Sequence, residues 1–314
     1  MGRSQGPAGA LTAAAALLLC GAVTPAAFPL REARWLKSAD IAADLTHQPI
    51  ECRLPIADPA LRHSAGIGRV AFRAPLLLGG QAARAGLSCS SCHRNGRSNE
   101  HFHFPGISGD AGTADVTASL MSSHRGDGIF NPKPIPDLAG DPAKLKISRD
   151  PQNDDLKRFI HGLITQEFDG PEPPPAVLNG IVSYVRTLSP KGCNGPQSSA
   201  IRLPAMLDDV ETAVRMAEQS YVSGDKETGR VLMSAARSTL GKIDERFQIP
   251  GGEKARAALR DADGDLKAIE LSDNATRRMF QDWQSKWPAR TRELRSEESR
   301  SLFSEARVRR LLAN

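Results

Sequence analysis

The residues with the most chemistry in this 314-residue sequence lie between Leu87 and Pro105, LSCSSCHRNGRSNEHFHFP. Cys89, Cys92 and His93 stand in the spacing CxxCH, and His101 and His103 follow closely. Three chemistries use such a set. Two cysteine sulfurs can form thioethers with the vinyl groups of a haem while the adjacent histidine ligates the iron, and CxxCH is the minimal spacing that permits all three bonds. Zinc needs four ligands, and His101 and His103 would complete them. A dithiol redox pair needs a βαβ setting, which nothing around Cys89 suggests. The spacing ranks covalent haem attachment ahead of zinc, with one haem c as the expected cofactor.

The compartment bears on all three. Arg3, an apolar run from Ala10 to Leu19 and small residues at Gly21, Ala22, Ala26 and Ala27 follow the order of a secretory signal peptide, far shorter than the 18 or more apolar residues of a membrane span. Residues 1–27 are therefore read as a leader, and the mature chain as exported to the periplasm. Leu17-Leu18-Leu19 ahead of Cys20 departs from the small residues of a lipobox, which sets lipid anchoring at Cys20 behind simple cleavage. Of five cysteines, Cys20 leaves with the leader and Cys89 and Cys92 form the motif. Cys52 and Cys193 remain, and in an oxidising compartment they are expected to pair; two buried free thiols are the alternative.

The elements that must position these residues fall into two stretches. Twenty-two prolines concentrate before residue 205, where long loops are interrupted by a helix from Asp154-Asp155 with Leu156, Phe159, Ile160, Leu163 and Ile164 on one face, and another from Ala176 to Leu188. Between Gly106 and Pro142, recurrent Gly, Pro and Asp predict an ordered loop wrapping something. Farther on, amphipathic stripes at Met206–Tyr221, Val231–Phe247 and Ala255–Ile269, with Met279, Phe280, Trp283 and Trp287 on a common side of a later stretch, predict a helical bundle. The run Asp261 to Asp265 lacks the glycine and terminal glutamate placement of a calcium loop. A net charge of +5 spread along the chain, with no basic run interleaved with aromatics, argues against a nucleic-acid surface. No later stretch is apolar enough to span a bilayer.

Three segments resemble a known family. PLLLGGQAARAGLSCSSCH is similar to the segment ahead of the haem motif in di-haem cytochrome c peroxidases and their MauG-like relatives; DVTASLMSSHRGDGIF is similar to the later segment that brings a distal haem ligand; VLNGIVSYVRTL resembles the helix that closes their cytochrome domains. The resemblance covers roughly residues 65 to 190 and implies Cys89 and Cys92 as attachment points and His93 as proximal ligand. Such peroxidases carry two CxxCH motifs, whereas this chain has one, so the resemblance bears on fold more than on activity. The expected architecture is all-α: a cytochrome c-like haem domain with long loops over residues 28–200, then a helical bundle over 201–314.

The sixth iron position decides the function. Met121, in the segment similar to the distal-ligand region, is the leading candidate, and His124 is the alternative; Met121 as a core gap-filler is the plain structural reading. His101 and His103 are read as solvated loop residues, and His161 as structural or exposed. Arg97 and Arg125 are either grips for haem propionates or surface charges, and Phe102, Phe104, Phe130, Phe159 and Tyr184 are candidates for an apolar haem wall. The favoured expectation is an exported monohaem cytochrome carrying single electrons between redox partner proteins. A peroxidase or MauG-like oxidase with an open iron position, and a haem-bearing sensor or docking subunit whose bundle meets a protein partner, are the competing ones.

Overall fold

The computed structural model describes Gly2 and residues 28–193, 195–272 and 274–313. The leader expected over 1–27, with Cys20, lies outside the described residues apart from Gly2. The chain is mostly helical, 56% of it in helix, and its few strands are two or three residues long.

The N-terminal part contains α1 (Ile41–Thr46), β1 (His47–Pro49), α2 (Pro59–Ala71), α3 (Gly80–Ala85) and α4 (Cys89–Cys92). A hairpin of β2 (His93–Arg94) and β3 (Arg97–Ser98) follows directly, then a ladder of β4 (Thr113–Ala114) with β5 (Lys133–Pro134), α5 (Asp155–Gly162) and α6 (Pro175–Thr187). After β6 (Ser198–Ala200) come α7 (Leu203–Val222), α8 (Lys226–Arg246), α9 (Glu253–Glu270), α10 (Arg277–Glu297) and α11 (Glu305–Leu312). The amphipathic stripes thus become α7 to α10, and Asp261 to Asp265 lies inside α9 as ordinary helix. The loop from Gly106 to Pro142 is held by the β4–β5 ladder in its middle.

Local chemistry explains the key elements. α2 starts at Pro59, whose fixed φ suits a first helical position, and the Asp58 carboxylate caps it by accepting from Ala60 N at 2.8 Å. Its Gly68 lies against Gly180 of α6 so closely that a Cβ at position 68 would stand 1.9 Å from the Gly180 carbonyl oxygen. Only paired glycines permit that approach of backbones. In α10, Trp283 and Trp287 stack with ring centroids 4.6 Å apart, and each indole N–H finds an acceptor, the Ala262 carbonyl at 3.1 Å and Glu211 Oε1 at 2.6 Å. Buried indoles need such partners.

The compositional shift near residue 200 is crossed by shared packing. One buried apolar cluster runs from Cys52 through α2, α5 and α6 to Leu294 of α10. β6 pairs antiparallel with β1, with His47 opposite Ala200. Leu30, Ala42 and Leu45 pack with Leu302 and Val308 in a small separate core, which joins the first and last described segments. Cys52 and Cys193 form a disulfide with Cα atoms 4.9 Å apart, the expected pairing.

Candidate functional site

α4 is a single turn, and its N-terminal end is fixed by serines. Ser88 N donates to Ser91 Oγ at 3.0 Å while the Ser88 side chain accepts from the backbone of Ser91, a reciprocal capping box. Cys89 and Cys92 therefore bracket one helical turn with their sulfurs free. Immediately after it, Asn95 and Gly96 both take positive φ, 52° and 75°, and turn β2 back as β3. Two left-handed residues in a two-residue loop are the geometry that suits a tight hairpin. The Asn95 side chain is itself fixed, its amide donating to Pro49 O at 2.8 Å and its oxygen accepting from Arg73 at 2.9 Å.

This hairpin carries His93, and the segment 135–139 locks it. Ser98 Oγ donates to Ile135 O at 2.9 Å, and Arg97 Nε donates to both oxygens of Asp137 at 2.9 and 2.8 Å. Between them, His93 Nδ1 lies 3.1 Å from the Pro136 carbonyl oxygen. A carbonyl only accepts, so Nδ1 carries the proton and Nε2 is left with a free lone pair. Desolvation lowers the His93 pKa from 6.5 to about 4, against the pull of Pro136 O and Asp137. The imidazole is thus neutral at pH 7, the form that binds a metal.

The two thiols behave differently from a redox pair. Desolvation pushes both the Cys89 and the Cys92 pKa up from 9.0 to about 12, with Cys89 also raising Cys92. Reactive dithiols depend on a depressed thiol pKa, the opposite direction to that of these two. Nor do the later histidines gather for zinc: His101 Nε2 faces Asp44 Oδ1 at 3.6 Å. Among the described residues no group of three or more His, Cys, Asp or Glu is placed to hold a metal ion.

Cys89 packs on the edge of the large core, whereas Cys92 packs on a second apolar cluster made by Leu78, Ala82, Leu87, Phe102, Ile107 and Met121, among others. Met121 is 1% exposed. His124 is on the surface instead, its Nδ1 2.9 Å from Asp169 Oδ1. The segment that holds Met121 is anchored on a π-helical turn, Leu163–Glu167, into which the end of α5 widens. Ser122 donates to Gln166 O, Arg125 to Gln166 Oε1 at 3.0 Å, and Asp169 accepts from Ser123 N. Such widened turns recur at functional sites.

Of the proposed wall, Phe102 and Tyr184 are buried and Phe104 borders the Met121 cluster, while Phe130 is 62% exposed. Phe159 also stands partly in solvent. Arg97 is taken by Asp137, and Arg125 reaches Glu167 at 3.4 Å. His161 pairs with Glu172 at 2.8 Å. Two contributors escape sequence reading. Phe72 stands between His93 and Tyr184, with centroid distances of 6.4 and 5.3 Å. Arg149 donates to the carbonyls of Leu188 and Leu138. Neither has a spacing that would announce it, but the Asn95-Gly96 dipeptide is a strong hairpin signal.

The donor set fits a covalently attached haem: two partly buried thiols one turn apart, a neutral imidazole with Nε2 available, and apolar surface beside both sulfurs. Comparison with protein-family models, curated proteins and solved structures finds no match to this chain.

Proposed function

We propose that the chain is a c-type cytochrome in which Cys89 and Cys92 would hold one haem through their sulfurs and His93 Nε2 and Met121 Sδ would ligate its iron. The observation that carries this reading is the His93 Nδ1 to Pro136 carbonyl contact. A carbonyl accepting from the far nitrogen of a ligating imidazole fixes its tautomer and ring orientation and raises its basicity. Haem supplies reversible one-electron chemistry at iron, with a potential set by the axial ligands and the burial of the site.

The chain's own residues account for the rest. The capping serines present both sulfurs on one turn. Arg97 and Asp137 hold the peptide that accepts from His93, so the imidazole cannot rotate freely. Met121 lies in an apolar cluster, held from below by Ser122 and Arg125 on the π-helical turn. A thioether from that cluster raises the potential relative to a second histidine, which suits a carrier of single electrons between exported redox partners.

One observation favours the peroxidase-like reading. Glu167 is buried, its Oε2 has no hydrogen-bond partner, and desolvation pushes its pKa up. A carboxyl whose pKa is raised by burial, beside the Met121 segment, is suited to acid–base work on a small ligand, should Met121 leave the sixth position.

The test is expression with haem maturation machinery. The proposed carrier gives a coloured chain whose mass rises by one haem, low-spin spectra in both oxidation states, and no change on adding carbon monoxide. A colourless chain of unaltered mass refutes haem attachment. Ready carbon monoxide binding by the native protein transfers the assignment to the small-ligand reading.

A further inference from the structure

Behind α4, on the face that carries Ser90 and Ser91 rather than the two sulfurs, the N-terminal segment, α2 and α8 enclose a cavity of about 310 Å³. Its volume lies at the lower end of small-ligand sites, but the lining is charged where such sites are mostly apolar. Six cationic side chains face four carboxylates around it.

The carboxylates are oversubscribed. Glu51 is shared by Arg69 at 2.8 Å and Arg73 at 3.6 Å within the cavity, and by Arg53 outside it. It also accepts from Tyr184 Oη at 2.7 Å. Glu32 is shared by Lys242 at 3.5 Å and Arg94 at 3.6 Å. Asp209 and Glu245 answer Arg69 and Arg31. Arg246, 5% exposed, donates to the carbonyls of Leu302 and Leu45, both at 2.9 Å, so no carboxylate neutralises it directly. A surplus of two positive charges thus surrounds a partly open space.

We propose that this cavity binds a small oxyanion carrying two negative charges, such as a phosphate or a short dicarboxylate. Two charges match the surplus, and the planar guanidinium groups lining the cavity are suited to paired acceptor oxygens. Arg73 and Asn95 connect the cavity to the turn that follows His93, so an occupant sits next to the candidate haem loop without touching the sulfurs. The proposal does not depend on haem, because none of the groups that form the surplus belongs to the donor set.

The test is calorimetric titration and thermal unfolding of the full chain with sodium phosphate and, separately, sodium malonate, each at ionic strength held constant with chloride. At least one anion is expected to bind saturably and raise the unfolding temperature beyond the chloride control. Binding by phosphate alone identifies a tetrahedral ligand, and binding by malonate alone a dicarboxylate; both support the site. Arg73→Gln and Lys242→Gln should each weaken binding about tenfold or more, the scale of one charge-assisted hydrogen bond, while Arg158→Gln on the distant surface of α5 leaves it unchanged. Lys242 makes a single partly exposed ion pair, so its variant remains informative if Arg73→Gln fails to fold. No response to either anion, or equal binding by wild type and Lys242→Gln, overturns the proposal. Haem content measured on the same preparation keeps this result separate from the cytochrome reading.

Discussion

The imidazole Nδ1 of His93 and the carbonyl oxygen of Pro136 are 3.1 Å apart across 43 residues of chain. The acceptor is a main-chain atom, so its place depends on what holds residues 135–139, and the strongest hold is the two-oxygen grip of Asp137 on Arg97. Asp137→Ala should loosen it and weaken the Nδ1 bond. A less basic imidazole stabilises ferric iron less, and the reduction potential of the haem-loaded protein should rise. A tenfold change in the relative stability of the two iron states is about 59 mV for one electron. Potentiometric titration reads this directly, and an unmoved potential would show that Pro136 needs no help from Asp137.

Met121 and His124 give opposite expectations. Met121→Ala in the haem-loaded protein should convert a low-spin ferric spectrum to a high-spin or ligand-exchanged one and open the iron to carbon monoxide. It should also cost about 2–5 kcal/mol of stability, the range for truncating a buried methionine. His124→Ala should leave the spectrum as it was, because that ring is on the surface with Asp169. The reverse pattern would place the ligand at His124.

Glu51 ties stability to pH. Burial works to raise its pKa, but Arg69, Arg73 and Arg53 together outweigh it and bring the value from 4.5 down to about 2. A depressed carboxylate stabilises the fold above its unfolded pKa and loses that contribution as pH falls through the folded value. Denaturant unfolding should therefore show stability falling between pH 4.5 and about 2. Glu51→Gln should be less stable at pH 7 and lose less over that window. An equal slope in the variant would mean that the acid limb comes from other groups, Glu32 foremost, whose pKa is also lowered to about 2.

The α2–α6 crossing offers a test of the fold itself. Gly68→Ala would drive a methyl group into the Gly180 backbone and should cost about 1–3 kcal/mol or more. Gly241, within α8, has open space where a Cβ would stand. Gly241→Ala should stabilise the protein by about 0.5–1 kcal/mol through lower entropy of the unfolded chain. Thermal or urea unfolding of the pair reads both signs.

The bundle helices were legible because their apolar residues recur at helical spacing, and α7 to α10 follow the stripes within a few residues. The disulfide was legible by elimination among five cysteines. Met121 could be read from sequence as an iron ligand or a core gap-filler, but the π-helical turn that anchors its segment has no periodicity of its own. Pro136, Phe72 and Arg149 act through backbone acceptors, ring contacts and carbonyls, none of which leaves a spacing in sequence. The continuity of the core across residue 200 was hidden for a similar reason, since composition changes there while the packing of α2 on α7 and α8 depends on long-range contact.

The four described cysteines are in two states, a bridge between Cys52 and Cys193 and open thiols at Cys89 and Cys92. Four thiols allow three complete pairings, and an unfolded chain closes neighbours three residues apart far more readily than partners separated by 141. Oxidation that outruns folding therefore traps the near pair first. Under the proposed haem attachment, the near pair has to stay reduced while the distant one is joined.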